Sequence, residues 1–133
     1  MEQARRDNFE KLYNIFKKYD DYFLLPKATD KSDPCWFGFL LIVKPTSPFT
    51  RQDFVDYMEA NKIQTRAYFT GNALYHPAYR QIASNYGDLK SQFPNADLAT
   101  RGSVFLGTYL GLTDQKMHYI KTTVDNFFKE LNK

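Results

Sequence analysis

The sequence predicts an α+β domain: a small sheet of three or four strands with helices packed mainly on one face. Three observations carry this. Apolar residues recur at helical spacing near both ends of the chain, in 3–23 and 113–131. Residues 35–43, CWFGFLLIV, form an unbroken apolar run of strand length between Pro34 and Pro45. Residues 64–69 alternate, with Thr65, Ala67 and Phe69 set against Gln64, Arg66 and Tyr68. The resulting order is α-β-α-β-α-β-α, in one domain spanning 1–133.

The elements follow in turn. Phe9, Leu12, Tyr13, Phe16, Tyr19 and Phe23 share one face of a helix over 3–23, and Pro26 closes it. Residues 26–34 are polar and proline-bounded, hence a loop. The run 35–43 reads as a strand buried on both faces, with Gly38 marking a close backbone approach or a bulge. Thr50 caps the next helix with Asp53 at capping-box distance; Phe54, Tyr57 and Met58 face the core, and Asn61 ends it. That helix fits a crossover to the strand at 63–69. Residues 77–93 mix a short helix with a stop at Gly87, and 93–102 form a loop leading into a helical turn. A short strand lies within 103–110. Thr113 then caps a last helix faced by Met117, Ile120, Val124, Phe127 and Leu131.

A chain of 133 residues buries roughly two thirds of its unfolded surface, enough for a real core. Its 43% hydrophobic and 25% charged residues are ordinary for a globular domain. The 12 Phe, 10 Tyr and 1 Trp are not, and Tyr in particular marks surfaces that meet ligands or partners. A net charge of +3 argues against a nucleic-acid partner. The single cysteine, Cys35, excludes an intramolecular disulfide and builds no metal or cluster site by itself. No run approaches the length of a membrane span and no signal peptide is present, so a cytoplasmic protein is expected.

Catalytic machinery is sparse. His76 and His118 lie far apart, without a Cys, Ser or carboxylate at triad or metal spacing. His118 reads as a surface helix residue, and Cys35 beside Trp36 as a packed thiol. No catalytic and no metal-binding residue is assigned. The stretch 64–79, QTRAYFTGNALYHPAY, is the candidate ligand edge. Arg66 can grip a phosphate or carboxylate in two-pronged fashion, or simply face solvent. Gly71-Asn72 permits positive φ and bares backbone N–H groups that can hold an anion. His76 adds a titratable group on a loop. From the residues alone, a freestanding module binding a nucleotide or single-stranded nucleic acid on a ring-rich sheet stays open.

The segments SDPCWFGF, TRAYFTGN and GTYLGLT stand in order at matched spacing. Together they resemble the C-terminal part of the nucleotide-sugar aminotransferase family, a branch of the fold-type I pyridoxal-phosphate enzymes. Within it the match is nearest to the 3-dehydrases that act on CDP-4-keto-6-deoxyglucose in lipopolysaccharide biosynthesis. The resemblance covers essentially the whole chain. It implies the small C-terminal domain, with the large domain that binds pyridoxamine or pyridoxal phosphate absent from these residues. The implied reaction is loss of the C3 hydroxyl from a nucleotide-linked 4-ketosugar, with a reductase as partner. An iron–sulfur cluster, where present, has its ligands outside this chain, and the full-length enzyme is expected to be a homodimer. The chain alone is expected to be inactive.

The resemblance also implies that Trp36, Phe37, Arg66, Phe69, Gly71, Asn72 and His76 face the substrate. Trp36-Phe37 aligns where related aminotransferases carry an aromatic followed by His, and an apolar Phe37 fits dehydration better than transamination. One departure stands out: the family loop often carries an Arg before the proline, where this chain has Tyr75 and His76. A plain aminotransferase small domain is the nearest competing reading, because the residue that decides the chemistry lies elsewhere.

Overall fold

Residues 1–131 are described by the computed structural model of the chain. Three strands form an antiparallel sheet in the order β1-β2-β3: β1 (Phe23–Leu24), β2 (Gly38–Val43) and β3 (Ser103–Gly107). In register, Phe23 faces Val43, Leu40 faces Phe105 and Leu41 faces Val104. Around it lie α1 (Glu2–Phe16), α2 (Arg51–Ala60), α3 (Arg80–Ala83), α4 (Leu89–Gln92), α5 (Pro94–Gly102) and α6 (Asp114–Leu131).

Strand alternation sends Phe39, Leu41 and Val43 of β2, with Val104 and Leu106 of β3, into one core. Leu12, Ile15 and Phe16 of α1, Phe54 and Met58 of α2, and Met117, Ile120, Val124, Phe127 and Phe128 of α6 cover that face. Rings dominate the packing. Phe16 meets Phe23 edge-on at 5.6 Å, and Phe54 meets Phe127 at 5.2 Å. The α+β expectation, with helices mainly on one face, matches this arrangement.

Several boundaries differ from the sequence reading. The first helix stops at Phe16, continues as a single 3-10 turn over Lys17–Tyr19, and Phe23 belongs to β1. Phe16, Tyr19 and Phe23 keep helical spacing because all three reach one core, not because one helix carries them. The strand at 35–43 begins at Gly38, and only one of its faces is fully buried; Leu40 and Ile42 on the other are half-buried. The strand at 63–69 contracts to one bridge, Arg66 with Phe105. Residues 77–93 fold as a 3-10 turn and two four-residue helices, and 94–102 form a nine-residue helix rather than a loop with a turn. The strand within 103–110 ends at Gly107.

The caps behave as expected. Thr50 accepts from the Asp53 backbone N–H at 3.2 Å, and the Asp53 carboxylate accepts from the Thr50 N–H at 2.7 Å. At the other end of α2, Lys62 takes φ 61°, Ile63 N–H donates to Met58 C=O and Lys62 N–H to Glu59 C=O. This double bond pattern satisfies the terminal carbonyls and turns the chain toward Arg66. Since β2 and the Arg66 bridge both run antiparallel to β3, they run parallel to each other. The α2 crossover therefore joins them with β3 in between.

Candidate functional site

Arg66 N–H donates to Phe105 C=O at 3.0 Å, and Phe105 N–H donates back to Arg66 C=O at 2.8 Å. Directly opposed residues project side chains to the same side of a sheet. Phe105 points away from the core that its neighbours Val104 and Leu106 enter. Arg66 and Phe105 thus share the outer side, where they line a cleft of about 790 Å³.

Gly38 makes room for this surface. A Cβ there would stand 2.1 Å from Phe105 Cζ, so the ring lies directly over the glycine backbone. Phe37 sits 5.6 Å from Phe105, centroid to centroid, and Phe69 lies 6.4 Å from it on the other contact. Phe37 is 64% exposed and Phe69 76%. The backbone beneath Phe37 is fixed all the same: the buried Thr108 hydroxyl lies 3.0 Å from both the Trp36 and Phe37 carbonyls and donates to them. Phe69 holds φ 37°, a left-handed conformation that a bulky residue adopts only at a cost of about 1–2 kcal/mol.

The cleft's charge is one-sided. Arg5, Lys62, Arg66 and Lys116 line it, and no carboxylate, histidine or cysteine does. Arg5 lies 5.5 Å from the centre of the Phe37 ring, and Lys116 donates to the Gly111 carbonyl at 2.9 Å. Among the described residues none of the four lies within ion-pair distance of a carboxylate. Glu59, close to Arg66 along the chain, accepts from the Thr65 N–H and hydroxyl, which hold its carboxyl below the usual range.

The seven residues singled out from the sequence divide. Phe37, Arg66 and Phe69 line the cleft; Trp36, Gly71, Asn72 and His76 do not. Trp36 stacks on Phe9 at 5.3 Å and 12°. Gly71, at φ 58°, packs on α5, where a Cβ would meet Thr100 Oγ1 at 2.4 Å. Asn72 is buried; its backbone N–H donates to Thr100 Oγ1 and its side-chain oxygen caps the turn at Leu74. His76 Nε2, as an N–H, donates to the Thr70 carbonyl at 3.2 Å. The turn after Arg66 therefore has a packing role on α5. Tyr75 extends it by donating to Asp97 at 2.6 Å, which lowers the Asp97 carboxyl.

Arg5, Lys62, Phe105, Tyr109 and Lys116 escaped the sequence reading, since they converge from four separate segments. Only Lys62, just past a helix end, carries a local signal. Among the described residues no group of three or more His, Cys, Asp or Glu side chains could hold a metal ion. No helix among them is long and apolar enough to cross a membrane.

Comparison with known proteins supplies the context. The profile described as the DegT/DnrJ/EryC1/StrS aminotransferase family matches residues 1–125. The dTDP-4-dehydro-2,6-dideoxy-D-glucose 3-dehydratase of Saccharopolyspora spinosa is 36% identical over 124 residues, covering 93% of this chain and 26% of that protein. The lipopolysaccharide biosynthesis protein RfbH of Salmonella typhimurium is 31% identical over 126 residues, covering 95% of this chain and 28% of its own length. The solved structure of an E. coli GDP-4-keto-6-deoxy-D-mannose-3-dehydratase with bound hydrated PLP superposes with a TM-score of 0.67 at 25% identity. That match covers 91% of this chain and 30% of the other. The chain thus spans just over a quarter of the length of the curated relatives it matches.

Proposed function

The chain belongs to the DegT/DnrJ/EryC1/StrS aminotransferase family, and from that premise we propose that it is the small C-terminal domain of a pyridoxal-phosphate-dependent nucleotide-sugar 3-dehydratase. Its substrate in this reading is a nucleotide-linked 4-ketosugar that loses its C3 hydroxyl, as in the CDP-4-keto-6-deoxyglucose reaction of lipopolysaccharide dideoxysugar synthesis. The observation that carries the reading is Phe37: an exposed ring on a backbone fixed by Thr108, at the mouth of a cleft lined by rings and cations.

The cleft fits one wall of a cofactor site. It offers cations and rings, but no carboxylate to pair with a pyridine nitrogen and no lysine or histidine buried against a reacting carbon. Pyridoxal or pyridoxamine phosphate, when bound, supplies the electron sink for breaking the C3–O bond. The residues here orient and shield. Phe37, Phe69 and Phe105 exclude water from the cleft mouth, and Arg66 holds the anionic part of the substrate. In this reading proton transfer belongs to the large domain: no histidine, cysteine or carboxylate lines this cleft to act as general acid or base. In the same reading a reductase delivers electrons, any iron–sulfur ligands lie outside this chain, and the whole enzyme is a cytoplasmic homodimer.

The test is a chimera in which residues 1–133 replace the matching C-terminal segment of RfbH. Deoxygenation of a CDP-linked 4-ketosugar by the chimera, and none by the 133 residues alone with added pyridoxamine phosphate, is the expected result. An aminosugar product would favour the aminotransferase reading. Turnover by the 133 residues alone would refute the assignment as an accessory wall.

A further inference from the structure

We propose that this chain holds the diphosphate of its substrate by itself, between Arg66 and Lys62 on one side of the cleft and Arg5 on the other. The inference rests on the nucleotide-sugar reading above and assigns the end of the substrate that these residues grip.

Four cations and no carboxylate line the cleft, so an anion entering it meets unopposed positive charge. Two of the cations stand on fixed backbone. Arg66 is pinned by its paired bonds to Phe105, and Lys62 by the bond pattern that ends α2. Arg5 projects from α1 across the Phe37 ring. Lys116 is already tied to the Gly111 carbonyl and lies 5.9 Å from the Tyr109 ring centre, which leaves it on the rim. A single phosphate could be met by one guanidinium alone. A cleft of this volume with separate cations suits an extended dianion flanked by rings. The uncharged sugar ring needs no cation; Gln64, Tyr68, Tyr109 and Tyr119 line the same cleft and offer it neutral polar groups, which leaves the charged side chains to the diphosphate. Phe37 and Phe69 flank Phe105 and give the adjoining apolar parts of the ligand a surface.

The experiment is an NMR titration of the 133-residue chain with inorganic pyrophosphate, CDP, cytidine and a CDP-linked sugar, each against the wild type, Arg66→Met and Lys129→Met. Pyrophosphate and CDP are expected to shift the amides of Arg66, Ala67, Gly107 and Thr108 with dissociation constants on the order of a millimolar. Arg66→Met should weaken both about tenfold, as loss of a charge-assisted pair does, while Lys129→Met, on the far end of α6, leaves them unchanged. Cytidine should leave the Arg66 amide in place. Shifts spread evenly over surface cations, or equal affinity in Arg66→Met, overturn the proposal. The wider reading fails separately. Pyrophosphate bound in the cleft with the CDP-sugar excluded from it supports the anion site and refutes the sugar substrate. A CDP-sugar bound in the cleft with unchanged affinity in Arg66→Met keeps the substrate and removes the diphosphate grip.

Discussion

Arg66 and Phe105 exchange both of their backbone hydrogen bonds, at 3.0 and 2.8 Å, in the one β-bridge between the 63–69 segment and the sheet among the described residues; beyond it, Tyr68 N–H donates to Ser103 Oγ of β3 at 3.3 Å. It sets a flexible cation and a rigid ring side by side on the outer surface.

Gly38→Ala should move the Phe105 ring. The added methyl would come within 2.1 Å of Phe105 Cζ, and the half-buried ring can swing outward rather than break β2. A modest stability loss of about 1 kcal/mol is expected. Contacts between the Phe37 and Phe105 rings should disappear from NOE spectra.

Gly71→Ala and Gly87→Ala form a matched pair. Both glycines hold positive φ, 58° and 65°. At Gly87 a Cβ meets nothing, so only the left-handed conformation costs, about 1 kcal/mol. At Gly71 the methyl would also strike the Thr100 backbone at 2.9 Å, and a loss of about 2–4 kcal/mol is expected. Urea denaturation of both variants measures the difference.

Phe69→Gly should leave the chain as stable or up to about 1 kcal/mol more stable, because a strained left-handed Phe is relieved and little buried surface is lost. The same variant should weaken CDP-sugar binding. A stability gain coupled to a binding loss separates a functional strain from a merely tolerated one.

Much of this architecture was readable in advance. The α6 face and the Thr50 cap follow from spacing that one helix turn enforces locally. The 63–69 segment misled because Thr65, Ala67 and Phe69 alternate like a strand. Glu59 occupies the Thr65 N–H, and Phe69 turns at positive φ, so only Arg66 pairs. Phe37, Arg66 and Phe69 were visible as exposed-looking rings and charge beside turn signals. Arg5, Lys62 and Lys116 were not, since only tertiary packing brings α1, the end of α2 and α6 to one cleft.

Asp125 should give the fold an acid-dependent contribution. Burial alone would raise its carboxyl, but Lys18, Lys121 and Tyr19 donate to it and hold it at about 2. A depressed folded value stabilises above the ordinary carboxylate range, and the benefit fades as pH falls from about 4 to 2. Asp125→Asn should therefore cost about 2 kcal/mol at neutral pH, less at pH 2, in denaturant midpoints taken across that window. The Tyr19 hydroxyl is pushed up by burial and by the same carboxylate.

The most direct test of the central claim, that this domain supplies the substrate-facing wall of a sugar-modifying site, is an intermolecular NOE measurement on the chain with a CDP-linked 6-deoxysugar. NOEs from the ligand to the Phe37 and Phe69 ring protons are expected, with none to Lys129 in the last turn of α6. Ligand NOEs confined to residues outside the cleft, with Phe37 and Phe69 silent under saturating ligand, would contradict the account.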